Sequence, residues 1–247
     1  MTILRSAVFM LWFVFVSVLF NVGFLWALAL PRKVTVFASR GWSRWTLWGL
    51  KVFAGLDYEL RGQKPTGPVL IAAKHMSMWD TIALYLILHD PAVVLKRELL
   101  GIPFYGWYAR KARMIAIDRN AGARALRKMA SAARRVIAEG RSVVIFPEGT
   151  RKKPGAAPGY KPGVAGLYGQ LDVPCVPVAL NSGLFWTGPG GFLKKRGRII
   201  VEFLKPIPPG LKRAEFMATL EQRIEQATDR LLKEGRALLK SEGFTPV

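Results

Sequence analysis

The sequence predicts an α/β domain, a mixed and largely parallel sheet covered by helices, preceded by an N-terminal membrane helix and an amphipathic interfacial helix. Three observations lead there. The chain opens on an uncharged apolar stretch, alternates short apolar runs with helix-like runs beyond residue 57, and carries a large surplus of cations. Its 247 residues are 51% hydrophobic and 11% aromatic, enough to build a core and too apolar for a disordered chain. A net charge of +21 beside a positive mean hydropathy means that cations and apolar groups are segregated, as at a nucleic-acid surface or an anionic membrane. The single cysteine, Cys175, excludes an internal disulfide framework. Only His75 and His89 offer imidazole, at no metal-ligand spacing, so no metal site is expected.

Residues 7–30 contain 24 residues without a charge. As a helix they would extend about 36 Å, against a hydrocarbon core of about 30 Å. A secretory signal has a shorter apolar core and a more basic start than Arg5 alone supplies. Cations follow at Arg32, Lys33, Arg40, Arg44 and Lys51, which places the remainder on the cytoplasmic face of the inner membrane. Residues 34–56 space Trp42, Trp45 and Trp48 by three, a helix with its indoles at headgroup depth. A single spanning helix and a two-helix hairpin in one leaflet both satisfy this pattern. Residues 1–56 are thus the anchoring part, and 57–247 the α/β domain.

Within that domain the runs 69–73, 92–95, 114–117, 142–146, 175–180 and 199–204 are predicted strands. Helices are predicted over 78–88, 121–139 and 163–170. After Pro208-Pro209-Gly210, an amphipathic helix aligns Phe216, Leu220, Ile224, Ala227 and Leu231 on a face that packs on the domain.

The chemistry begins directly after the first of those strands. His75 and Asp80 are five residues apart, and on one continuous helix such side chains diverge by about 140°. With His75 in the turn and Asp80 in the first helical turn, the carboxylate can instead accept from Nδ1–H and leave Nε2 free to take a proton. No G-x-S-x-G elbow surrounds Ser77, which reads as a helix cap. His89 reads as a surface residue at the end of the same helix. Phe146-Pro147-Glu148-Gly149-Thr150-Arg151 follows the apolar run ending at Ile145, where open α/β sheets place ligand loops. There Gly149 allows close backbone approach, and Arg151 offers a fork for phosphate oxygens. A third segment runs from Lys96-Arg97-Glu98-Leu99 to Ile117-Asp118-Arg119.

Taken with Val176-Pro177-Val178-Ala179 and Asn181-Ser182-Gly183, these blocks occur in the order found in the glycerolipid acyltransferase family. The sequence resembles that family over roughly residues 69–183, and most closely its bacterial 1-acylglycerol-3-phosphate branch. The resemblance implies that His75 is the general base and Asp80 its orienting partner. It further implies that Arg151, Lys96 and Arg119 hold the acceptor's phosphate, with Glu148, Gly149 and Thr150 shaping the substrate site. Members often carry asparagine where this chain has Lys74. The implied reaction moves a fatty acyl group from an acyl carrier protein or coenzyme A thioester to the sn-2 hydroxyl of lysophosphatidic acid, giving phosphatidic acid with no bound cofactor. The same motifs serve other lysolipids, such as lyso-ornithine lipid. Lys194, Lys195, Arg196 and Arg198 form a cationic cluster suited to donor or lipid contact, or to a solvated loop. The basic charge leaves a membrane-tethered nucleic-acid-binding protein as the remote alternative, but no nucleic-acid motif accompanies it, so no nucleic-acid partner is expected.

Overall fold

A computed structural model of the chain describes residues 1–119, 122–187, 191–241 and 243; the predicted helix start at residue 121 lies outside them. Among the described residues nine strands form, β1 (Leu56–Gly62), β2 (Leu70–Ala73), β3 (Ala92–Lys96), β4 (Ile115–Ile117), β5 (Val143–Ile145), β6 (Cys175–Leu180), β7 (Trp186–Thr187), β8 (Leu193–Lys194) and β9 (Gly197–Phe203). Seven of them make one sheet in the order β1-β9-β6-β2-β5-β3-β4, while β7 and β8 form a separate hairpin. Every pairing in the large sheet is parallel except β6 with β9.

The central strand β2 is buried at all four positions, as a strand covered on both faces must be. Its side chains alternate between two cores. Ile71 and Ala73 pack with the helix α3 (Met78–Ile87), whereas Leu70 and Ala72 pack with α5 (Gly122–Ala138) and α6 (Gly163–Leu171). The connection from β2 to β3 passes over β5 on the α3 side, and that from β5 to β6 passes back over β2 on the α6 side. The loops leaving the adjacent strands β2 and β5 therefore diverge to opposite faces and leave a crevice at their carboxyl ends. His75 and the Phe146–Arg151 segment occupy those two loops. The long helix α7 (Arg213–Ser241) buries Phe216, Leu220, Ile224, Ala227 and Leu231, the face the sequence predicts.

The N-terminal segment departs from its predicted limits. The helix α1 covers Thr2–Gly23, and the apolar run then turns through a short 3-10 segment at Leu25–Leu28 rather than continuing to residue 30. Pro31, the cap of α2 (Arg32–Gly49), sends the chain back along α1 as a hairpin. The helix α2 ends at Gly49, passes through a π turn, and is stopped by Gly55 with φ of 68°, so residue 56 already belongs to the sheet. The predicted indole stripe also splits. Three residues advance a helix by less than a full turn, so Trp42 packs inward and donates to Ser17 Oγ at 3.1 Å, while Trp45 and Trp48 stay exposed.

The hairpin is docked at several points. The backbone N–H of Lys194 donates to Ser6 Oγ at 2.9 Å near one end of α1. Near the other, the Tyr108 hydroxyl, on α4 (Tyr105–Lys111), lies 3.3 and 3.1 Å from the carbonyls of Phe20 and Asn21. Those points are about 21 Å apart along the helix, so α1 lies along the domain instead of standing away from it. Arg32 makes a two-pronged pair with Asp90 at 2.9 and 2.6 Å, and Arg141 joins the same carboxylate at 3.2 Å. Between the two helices, a Cβ on Gly49 would fall 2.0 Å from Trp12 Cδ1, and one on Gly41 2.7 Å from Phe20 Cε1.

Within a helix, replacing glycine with alanine otherwise gains about 1 kcal/mol. Here Gly49→Ala forces Trp12 off its seat, at a cost of about 1–3 kcal/mol. A lowered thermal unfolding midpoint in detergent is expected, and a raised one would contradict this packing.

Candidate active site

The pleat of β2 continues past its last residue, because the N–H of Lys74 donates to the Val178 carbonyl at 2.9 Å. Successive side chains thus leave on opposite sides. His75 emerges on the side of α3 and the hairpin, where its ring stacks on Phe146 with centroids 4.0 Å apart. Lys74 emerges on the side of α7.

The turn after His75 lets Asp80 come back to it. Ser77 is the N-cap of α3 and Asp80 its third residue, and together they form a capping box. Asp80 Oδ2 lies 2.9 Å from His75 Nδ1 and accepts the N–H groups of Met76 at 2.7 Å and Ser77 at 2.9 Å. Oδ1 accepts the hydroxyl of Ser182, toward which the Ser77 hydroxyl also points at 2.9 Å. Facing an acceptor, Nδ1 carries the proton, and Nε2 presents its lone pair outward. Asp80 is fully buried, and the His75 side chain retains 12% exposure. The sequence-predicted pair is therefore brought together, through a turn and not along a helix.

Ser182 is the partner that sequence reasoning missed. It sits in the Asn181-Ser182-Gly183 block, whose order marked it as special without revealing its contact with Asp80. Neighbouring Asn181 is fully buried, accepting from Ile200 N–H at 2.9 Å and donating to the Leu231 carbonyl at 3.1 Å, which ties β6 to β9 and α7.

The second loop is clamped to the first. Lys152 N–H donates to the His75 carbonyl at 2.9 Å, so Arg151 is the residue directly before the clamp. Gly149 has φ of 67°, a backbone suited to glycine, and its N–H closes the turn on Phe146 at 2.9 Å. A Cβ there would meet Lys161 Cγ at 3.7 Å and Arg119 Cζ at 3.8 Å. The turn is thus flanked by Arg119, from the block after β4, and by Lys161, which sequence reading did not single out. Arg151, Thr150 and Arg119 are exposed at this edge. Lys96 lies at the end of β3, half exposed, with its ammonium 3.4 Å from Glu98. None of the described contacts joins Lys96 to the His75 turn.

Glu148 turns inward. Its carboxylate accepts from Lys74 Nζ at 2.8 Å and, at a long 3.5 Å, from the N–H of His75. Lys74 also reaches Glu225 of α7 at 2.8 and 2.9 Å, and the Tyr160 hydroxyl donates to the same Glu225 at 2.8 Å. Burial, then the negative charge of Glu225, push the Tyr160 hydroxyl pKa up. Glu148 consequently shapes the site from beneath, by holding backbone, and does not offer its carboxylate to solvent. A groove of about 690 Å³ opens beside this network, lined by Lys74, Met76 and Glu225 and not by His75.

The cationic cluster at 194–198 is not one surface patch. Lys194 is 1% exposed, its ammonium capped by the Gly191 and Phe192 carbonyls and lying 4.5 Å from the Trp186 ring, and burial brings its pKa down to about 8. Arg198 is engaged by Glu59 at 3.2 Å.

Lys74 and Glu148 are 2% and 1% exposed, so removing one partner strands a buried charge. Lys74→Met should lose about 3–5 kcal/mol of stability. Denaturant unfolding in detergent measures it, and a loss below about 1 kcal/mol would deny the network its role.

Residues 57–181 match the Acyltransferase family. The 1-acyl-sn-glycerol-3-phosphate acyltransferase of Pseudomonas aeruginosa is 35% identical over 191 residues, 76% of this chain and 74% of that one. The human 1-acyl-sn-glycerol-3-phosphate acyltransferase beta is 31% identical over 183 residues, 72% of this chain and 66% of its own. The crystal structure of the 1-acyl-sn-glycerophosphate acyltransferase PlsC from Thermotoga maritima has a TM-score of 0.76, over 94% of this chain and 98% of that one, at 21% identity, a likeness of fold. A family match across half of the chain, and 35% identity across three quarters of it, make this protein a member of the acyltransferase family.

Proposed function

We propose that the chain transfers a fatty acyl group from an acyl thioester to the sn-2 hydroxyl of lysophosphatidic acid, giving phosphatidic acid, at the cytoplasmic leaflet of the inner membrane. One observation carries this reading. The His75–Asp80 dyad is assembled, yet among the described residues no nucleophile of the protein serves it. The nearby hydroxyls of Ser77 and Ser182 are engaged on the Asp80 side. Cys175 is buried, which pushes its thiol pKa up. The attacking hydroxyl therefore comes with the acceptor. The names of the relatives from P. aeruginosa and human supply the acceptor class.

In this mechanism Nε2 of His75 removes the hydroxyl proton as the oxygen adds to the thioester carbonyl. The carbon–oxygen bond forms, the carbon–sulfur bond breaks, and the imidazolium returns its proton to the departing thiolate. Asp80 stabilises the imidazolium meanwhile. The oxyanion needs donors, and the start of α3 provides few. Met76 and Ser77 N–H are already given to Asp80, and that of Asp80 to the capping box, which leaves Met78 and Trp79 at this terminus. Arg151, Arg119 and Lys96 are assigned to the acceptor's phosphate. The exposure of Arg151 and Arg119 around the Gly149 turn supports them better than the position of Lys96 does.

Membrane attachment follows from the hairpin. The outward side of α1 exposes Leu11, Phe15, Val18 and Val22, and α2 adds Phe37, Trp45 and Trp48. Because α1 is held against the domain along its length and α2 returns beside it, one leaflet accommodates both helices.

With purified protein, His75→Ala should lower kcat by about 10²–10⁴ while folding and vesicle association persist. Near-normal turnover would remove the base assignment. Arg151→Ala should raise KM for lysophosphatidic acid about tenfold or more with little change in kcat, and an unchanged KM would remove its phosphate role. Tags placed before Met1 and after Val247 should be reachable from the same side of sealed vesicles; a tag at Met1 protected by the bilayer would instead indicate a span.

A further inference from the structure

The polar face of α5 works against the stability of its own helix. Every exposed position of α5 between residues 124 and 135 is a cation, Arg124, Arg127, Lys128, Arg134 and Arg135, apart from Ser131. The helix holds no acidic residue. Among the described residues, Arg134 donates to the neutral Gln170 at 2.6 Å, and none of the five pairs with a carboxylate. Helices that merely face water mix their signs, as α7 does by pairing Glu234 with Arg61 and Arg230 with Glu202. In α5, Arg124 and Lys128 repel one another four residues apart, and Arg124 sits in the first turn, where the helix dipole disfavours a cation. A local penalty with no internal compensation points to a partner outside the chain.

We infer that this face docks an acidic protein that carries the acyl thioester, a member of the acyl carrier class. Three observations select that occupant. First, α5 packs in the core on the side of the sheet opposite the one that holds α3 and the α1–α2 hairpin. Its cations therefore look away from the leaflet that the hairpin contacts. Second, the charges form an extended stripe about 17 Å long, which suits the side of an acidic helix better than the compact phosphates of coenzyme A. Third, α5 opens three residues after Arg119, whose guanidinium lies against the Gly149 turn, so a docked carrier stands beside the reaction crevice. The identification of the cargo as an acyl thioester rests on the proposed function; the docking face does not.

Binding tests this without turnover. Fluorescence anisotropy of labelled holo acyl carrier protein is followed against the full chain in lipid nanodiscs. The wild type should bind, with affinity falling steeply as salt rises. Arg127→Glu with Lys128→Glu and Arg135→Glu should weaken binding at least tenfold, and the three glutamine replacements by an intermediate factor. Both triple variants should keep wild-type association with anionic vesicles and wild-type kcat/KM for an acyl-coenzyme A donor. The proposal is overturned if the wild type does not bind the carrier, if charge reversal leaves binding unchanged, or if acyl-coenzyme A use falls equally. Loss of vesicle association instead would make the face a lipid contact and overturn it as well. A chain that binds the carrier as expected but transfers to no lysophosphatidic acid would overturn the acceptor reading alone.

Discussion

The buried carboxylate of Asp80 holds this site together. One oxygen orients the His75 ring and gathers two backbone N–H groups of the turn; the other accepts the hydroxyl of Ser182 from the 3-10 turn that follows β6. The orientation of the imidazole and the capping of α3 are thereby served by the same carboxylate. A carboxylate that caps a helix is already placed and desolvated, so orienting the imidazole adds little further ordering cost. Ser182 extends the arrangement across the sheet, which makes the His75 ring sensitive to the packing of β6.

The alternation of a single strand separates the functions around this point. His75 leaves β2 toward the core shared with α3 and the hairpin, and Lys74 leaves it toward α7. The His75 ring therefore lies in the layer that carries the α1–α2 hairpin, the part proposed to meet the membrane. The opposite layer carries the buried Lys74, Glu148 and Glu225 network and the cationic face of α5. Lipid acceptor and soluble donor would approach such a molecule from different sides and meet at the crevice between β2 and β5. In that arrangement the Lys74 substitution has a structural use, since a longer cationic side chain can reach Glu225 on a helix distant in sequence.

Much of this was legible in the residues themselves. Six strands and the main helices follow from apolar runs and their punctuation, and the topology adds the crevice. The His75–Asp80 pair was readable because a strand ends just before it and Ser77 marks a helix start. Other features were hidden for physical reasons. The strand β1 is an edge element whose Asp57, Glu59 and Arg61 make it resemble a polar loop. Hydropathy cannot locate the turn between α1 and α2, because the residues around Phe24 are as apolar as those of the helix. Lys194 reads as a surface cation, and only the rings of Phe9 and Trp186 around it reveal otherwise. Ser182 lies 102 residues from Asp80, beyond any local pattern.

The most direct test of the central claim is a double-mutant cycle on kcat. If Asp80 acts through the ring it holds, Asp80→Asn alone should, by presenting the wrong tautomer, lower kcat by about 10²–10⁴ and by no more than loss of the imidazole itself. Adding it to a chain that already lacks the His75 imidazole should then cost almost nothing. Fully additive losses would contradict the account, because they would mean that the carboxylate and the imidazole contribute independently.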